Sequence, residues 1–247
     1  MASTRQPVRF DPPHDLIASI RNGRCVAFVG AGFSAAVVPS WARLLGCLAA
    51  RLEVPFEPPE AGNALLLEAV GEQLHKRAGD RWEALVKQVL DEQVALATPA
   101  QRARLELRRK HLVDIPFKAI LTTNFDPCLT STREVLGPPV YSEVLREERV
   151  RWWDAPPSPG RHTRPTPILK LHGDANGKPD TLPLVLGRSE YRRRVYGDRN
   201  YANFVRSVFA EYTVLFLGVS FTDAYLNELR SEVLHLVHFD QAPRRWG

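Results

Sequence analysis

The 247-residue sequence has little cysteine, only Cys25, Cys47 and Cys128. Three scattered thiols, odd in number, exclude a disulfide framework and cannot supply a four-thiolate zinc site, so reduced, buried cysteines are expected. Long apolar runs are missing as well: nothing approaches the ~18 uninterrupted apolar residues of a membrane helix. The amino-terminal MASTRQPVRFDPPHD also lacks the apolar centre of a secretion signal. A cytoplasmic protein without membrane contact is the expectation. No internal repeat or low-complexity tail occurs, and 44% hydrophobic with 25% charged residues is the balance of a globular chain able to bury a core. A net charge of +5 suits anionic ligands without marking a nucleic-acid surface.

Proline is plentiful by contrast, with 20 residues, and it crowds the segment from Trp153 to Leu184, which should be rich in loops. Elsewhere apolar runs and helical periods alternate. Residues 14–22 read as a short helix ending near Gly23. Cys25 to Val29 is a compact apolar run closed by glycine, as in a strand buried on both faces. Trp41, Leu44, Leu45, Leu48 and Leu52 then recur at helical spacing behind Ser40, a suitable N-cap. Residues 63–113 are helical almost throughout and predict an insertion or cap beside the sheet, within a single domain spanning 1–247. Further strands are expected at Phe117–Leu121, Ile168–Leu171, Leu184–Leu186 and Val214–Leu217, and helices over 203–212 and 223–238. This order implies an α/β fold: a Rossmann-like parallel sheet with helices on both faces and a helical subdomain insertion.

Parallel sheets bind ligands at the C-terminal ends of their strands, so the residues there are the candidates for function. The first strand ends in VGAGFSA, where Gly30, Gly32 and Ala35 fit G-x-G-x-x-G/A, a turn whose backbone can approach a pyrophosphate. The ribose-binding acid expected ~20 residues on has one match in spacing, Glu53, which closes a helical pattern instead of a strand. A second strand end carries Thr122, Thr123, Asn124 and Asp126. Asn124 and Asp126 could equally cap a helix starting near Pro127. LHG places His172 at the third end, and Gly218, Ser220 and Asp223 follow the fourth.

In the order GAGFS, TTNFD, LHG, GVSFTD, the sequence over roughly residues 20–240 resembles the sirtuin superfamily, and within it the SIR2-like domains of bacterial antiphage defence proteins. The resemblance implies a Rossmann-like fold with a helical subdomain and NAD as substrate, hydrolysed to nicotinamide and ADP-ribose, without a metal. The CxxC pairs that hold zinc in the deacylases are missing, so neither zinc nor deacylase activity is expected. By the resemblance, Asn124 and His172 are the catalytic pair. Asn124 would hold water and a ribose hydroxyl, and His172, titrating near neutral pH, would accept a proton. Asp126 would add negative charge or grip the nicotinamide amide. Gly30, Ala31, Gly32 and Ser34 would hold the pyrophosphate and Gly218, Ser220 and Asp223 the adenosine side, with Thr123 a further NAD-binding residue. On this reading a bulky residue at Gly32 removes NAD binding and spares the fold. Family members also imply a homo-oligomer or a sensor partner, either a short Argonaute-type protein or an ATPase.

Three alternatives have their own features. A non-catalytic NAD or ADP-ribose sensor would have less need of both Asn124 and His172. Nucleic-acid binding would use the basic runs Arg108–Lys110, Arg149–Trp153 and Arg192–Arg194, which are more often solvated faces or protein contacts. A thiol enzyme would need an activated Cys128, which nothing in DPCLT marks.

Overall fold

The computed structural model describes residues 11–58, 64–129, 166–176, 184–197, 199–220, 227–228, 231 and 245–246. Helix α1 (His14–Arg21) leads through Gly23, held at φ 64°, into strand β1 (Cys25–Val29). Ser40 caps α2 (Trp41–Arg51), its hydroxyl accepting the Arg43 amide at 3.4 Å. Helices α3 (Ala64–Ala78) and α4 (Trp82–Leu96) meet at a single 3-10 turn. Helix α5 (Pro99–Asp114) starts on a reciprocal cap between Thr98 and Gln101, with Pro99 where its missing amide is harmless. Strands β2 (Ile120–Thr122) and β3 (Ile168–Lys170) precede α6 (Arg188–Arg192), which runs into a π-helical turn. The order closes with α7 (Arg199–Glu211), β4 (Thr213–Leu217) and the two-residue β5 (Arg245–Trp246).

All strand pairings are parallel, in the order β3-β2-β1-β4-β5. The chain steps outward from β1 through β2 to β3, then returns to the opposite side of β1 for β4. That reversal opens a crevice at the C-terminal ends of β1 and β4. The period of two along β1 divides its side chains between two cores. Val26 and Phe28 pack with Phe204, Val208 and Phe209 of α7, while Cys25, Ala27 and Val29 pack with Leu16 of α1 and Leu105 and Leu112 of α5. Both faces are therefore covered, which is why these strands read as unbroken apolar runs.

A third core joins Leu44, Leu45 and Leu48 of α2 to Leu74 of α3 and to Trp82, Val86 and Leu90 of α4. Within the helical block expected over 63–113, α3 and α4 thus pack with α2, whereas α5 packs on the sheet. The segment expected as a strand at Leu184–Leu186 has no ladder. Its backbone makes one bond to the sheet layer, the Val185 amide to the His172 carbonyl at 3.1 Å. Leu184 and Leu186 enter the helical core while Val185 enters the sheet core, so the segment ties the two layers together. Most of the helix expected over 223–238 lies outside the described residues.

Candidate nucleotide cleft at the strand ends

The end of β2 is fastened to the end of β1. The Thr122 hydroxyl donates to the Val29 carbonyl at 2.7 Å and accepts the Asn124 amide N–H at 3.0 Å, which turns the chain just beyond the strand. The turn delivers the Asn124 side chain to the glycine loop, where Nδ2 donates to the Gly30 carbonyl at 3.1 Å and lies 3.4 Å from Ser34 Oγ. Ser34 donates to Asp126 Oδ2 at 2.9 Å, and Asp126 Oδ1 accepts the Cys128 amide at 2.9 Å. Asn124, Ser34 and Asp126 are all buried, so this network replaces water for each of them. One Asp126 oxygen thus closes a local turn in place of a helix cap, and the other reaches the glycine loop.

Lys170, at the end of β3, is buried and holds the Asp126 carbonyl at 2.7 Å and Asp174 Oδ1 at 2.8 Å. It fixes the β2 turn from the neighbouring strand. His172 follows two residues on, buried, with its ring edge against Tyr191 at a centroid distance of 5.0 Å.

These strand ends enclose one cleft. Gly30, Ala31, Ser34, Thr123, Asn124, Asp126, His172 and Ser220 all line it, together with an apolar wall that includes Trp41, Leu44 and Tyr191. Its cavity volume is about 190 Å³, and the empty space counted with its open mouth is about 1030 Å³. Glu53 sits just past α2 at φ 54° and is exposed, away from the cleft lining. Asp223 lies outside the described residues.

Gly32 and Gly218 are not among the lining residues, and their geometry gives another reason for glycine. The Gly32 amide donates to the Gly218 carbonyl at 2.9 Å, and a Cβ on Gly32 would stand 2.9 Å from both the Cα and the carbonyl oxygen of Gly218. Gly218 itself holds φ 65°, and its own Cβ would stand 2.6 Å from the Phe33 amide nitrogen. The glycines of the first and fourth strand ends therefore make space for each other's backbone. The expectation that a bulky residue at Gly32 spares the fold is corrected by this contact. The loop after Gly30 is a single 3-10 turn, Ala31–Phe33, and α2 begins only at Trp41, so no long helix starts on the glycine turn.

Sequence reasoning missed Arg108 as part of the site's support. From α5, its Nη1 donates to the carbonyls of Phe33 at 2.8 Å and Gly32 at 3.3 Å, satisfying acceptors that the short turn leaves over. The basic runs are thus partly structural: Arg109 pairs with Glu106, and Arg194 is buried, with Nε to the Leu171 carbonyl and its guanidinium over the Tyr201 ring. Residues 149–153 lie outside the described residues.

Titration of His172 near neutrality is also corrected. Burial, followed by the positive charge of Arg194, lowers its pKa from 6.5 to about 3, so the imidazole is neutral at physiological pH. Between those two values the unfolded chain binds a proton that the folded chain does not. His172 therefore costs stability as pH falls through that window, and the cost disappears as pH rises above 6.5. The thermal midpoint of the wild type should accordingly drop more steeply than that of His172→Gln on acidification from about pH 6.5 to about pH 4. Parallel slopes in a calorimetric pH series would show a solvated imidazole instead.

Cys25 and Cys128 are buried and unbridged, and Cys47 is half-buried. Burial pushes the Cys25 thiol up to about 12 and raises that of Cys128 further, with the Asp126 charge adding to the effect. Neither is an activated nucleophile. No group of three or more metal-ligating side chains occurs among the described residues, and no described helix is long and apolar enough to cross a membrane.

A parallel sheet of this order, with a glycine turn opening a cleft at its strand ends, defines an α/β protein of the Rossmann-like class. The SIR2-like domain model matches residues 118–246, just over half of the chain, and the chain belongs to that family. It is also similar to the NAD(+) hydrolase ThsA of Enterococcus faecium, with 26% identity over 232 residues, 91% of this chain and 43% of that protein. The chain therefore spans less than half the length of this relative.

Proposed function

We propose that the cleft hydrolyses NAD+ to nicotinamide and ADP-ribose, and that the chain serves as a cytoplasmic effector of antiphage defence. The observation that carries this reading is the burial of Asn124 and His172 in the same cleft as the glycine turn. A site that only held a dinucleotide would have little use for a fixed amide and a neutral imidazole at its floor. The NAD hydrolase named among its relatives supports the same chemistry.

The pyridinium leaving group departs as neutral nicotinamide, taking the electron pair of its bond to C1′ and needing no acid. Water adds to C1′ and releases a proton. The protein must hold the ribose, stabilise positive charge as it develops and admit water to one face. Asn124 has committed Nδ2 to the glycine loop, so Oδ1 is the acceptor it offers to a water or a ribose hydroxyl. His172, neutral, presents one donor and one acceptor nitrogen and positions a hydroxyl by hydrogen bonding. Asp126 acts through Ser34 and the β2 turn. Gly30, Ala31, Ser34 and Thr123 are assigned to the pyrophosphate, Ser220 and Asp223 to the adenosine side, and Gly32 and Gly218 to the shape of the loop.

Purified protein incubated with NAD, alone and at high concentration, should release nicotinamide, with ADP-ribose or cyclic ADP-ribose as the second product. Tight NAD binding without nicotinamide in every assembly state would replace the hydrolase with a sensor or scaffold. Assembly with further copies of this chain, or with a short Argonaute-type or ATPase partner, is the expected route of control.

A further inference from the structure

Helix α3 is docked by three consecutive contacts along one face. Gly71 lies so close to the segment after β3 that a Cβ there would stand 2.6 Å from the Leu186 carbonyl oxygen. Glu72 accepts the Ser189 hydroxyl at 2.8 Å, and His75 Nδ1 meets Glu190 Oε1 at 2.7 Å. This register carries the next position toward the helix start, Glu68, into the nucleotide cleft, where it lines the same space as Asn124, His172, Leu186 and Tyr191. Glu68 is only 4% exposed. An acidic residue is seldom buried on a helix face that otherwise packs against leucines, because the charge loses its water.

Among the described residues the cleft lining contains two carboxylates, Asp126 and Glu68. Asp126 belongs to the β2 turn, whereas Glu68 enters the cleft from the helical layer. We propose that Glu68 is a further catalytic residue: its carboxylate faces the cationic nicotinamide riboside half of NAD+ and stabilises positive charge on the ribosyl centre as the C1′–N bond breaks. It forms no covalent bond. The electron pair leaves with nicotinamide, the water oxygen bonds to C1′, and the proton goes to solvent. Oriented negative charge at a buried position acts most strongly where charge develops, so the effect falls on the chemical step. The inference rests on the NAD reading of the cleft and adds to it a charge preference supplied by the helical layer.

NADH has the same shape and pyrophosphate as NAD+ but no ring charge, so it separates the role of Glu68 from general nucleotide binding. Calorimetry on the wild-type protein should show NAD+ bound about tenfold more tightly than NADH, a difference of one compensated charge. Glu68→Gln should erase that preference and lower kcat by about 10²-fold with a smaller change in KM. Glu68→Asp should keep the preference. Equal wild-type affinity for the two dinucleotides overturns the proposal, and this arm requires no variant to fold. So does a folded Glu68→Gln protein with wild-type kcat and preference. A wild type that binds both dinucleotides but releases no nicotinamide defeats the hydrolase reading and the catalytic role of Glu68 with it, while the preference still decides whether Glu68 recognises the ring charge. A wild type that binds neither defeats both.

Discussion

Asn124→Ala should abolish NAD cleavage, lowering turnover by about 10²- to 10³-fold, the usual loss when one preorganised polar group is taken from a reacting centre. Affinity for NAD should change much less, because the positioned water and hydroxyl matter chiefly in the transition state. The side chain also has a structural part. Its Nδ2 holds the Gly30 carbonyl at 3.1 Å, and after truncation that acceptor keeps the Phe33 amide, also at 3.1 Å. A stability loss of about 0.5–1.5 kcal/mol is expected, small enough that a folded variant can be assayed. Steady-state turnover with a parallel denaturation curve makes the distinction. A folded Asn124→Ala protein that releases nicotinamide at the wild-type rate sinks the assignment. The companion variant His172→Ala should also lose turnover. The wild-type rate should nevertheless show no fall from protonation of His172 between about pH 6 and 8, since an imidazole held near its neutral form does not titrate there.

Gly32→Val should unfold or severely destabilise the protein. The added Cβ would stand 2.9 Å from backbone atoms of Gly218, which cannot swing aside as a side chain can. Gly218 is itself pinned at φ 65° between β4 and the glycine loop. We expect a loss of about 3 kcal/mol or more, the upper part of the range for overpacking, read as a fall in the denaturation midpoint or as insoluble protein. A Gly32→Val protein as stable as the wild type would show that the loop can move off β4. The phosphate role needs another probe, and Ala31 supplies it, since it lines the cleft and its side chain is exposed. Ala31→Glu sets a negative charge against the pyrophosphate without touching the backbone packing. NAD affinity should fall at least about tenfold, roughly 1.4 kcal/mol, while the melting midpoint stays near wild type. Unchanged NAD affinity would move the pyrophosphate elsewhere.

Local pattern alone determined much of this protein. The unbroken apolar run Cys25–Val29 announces a strand buried on both faces, because each face has its own core. Ser40 before Trp41 announces a helix start, because a hydroxyl there can take an orphan amide. The polar residues after each run mark the cleft, because a parallel sheet gathers all its C-terminal ends on one edge. The fifth strand became visible only in three dimensions: Arg245–Trp246 is too short to carry a period, and pairing with β4 makes it a strand. Leu184–Leu186 has strand-like composition yet is shared between two cores in place of a ladder.

The remaining decisions were tertiary because they depend on what lies opposite. Whether a glycine is needed for a ligand or for a neighbouring backbone depends on Gly218 facing Gly32, 186 positions away in sequence yet within hydrogen-bond distance. The pKa of His172 is set by burial and by Arg194, which no spacing around LHG reveals. Glu68 belongs to a helix whose sequence shows only an amphipathic period, and it joins the cleft because Gly71 lets α3 settle against Leu186. Sequence therefore determined which segments are strands and helices and which polar residues stand at strand ends, since those follow from local period and backbone geometry. Packing alone decided the charge state, the reach and the partners of each side chain, since these arise from burial and from groups brought together across the fold.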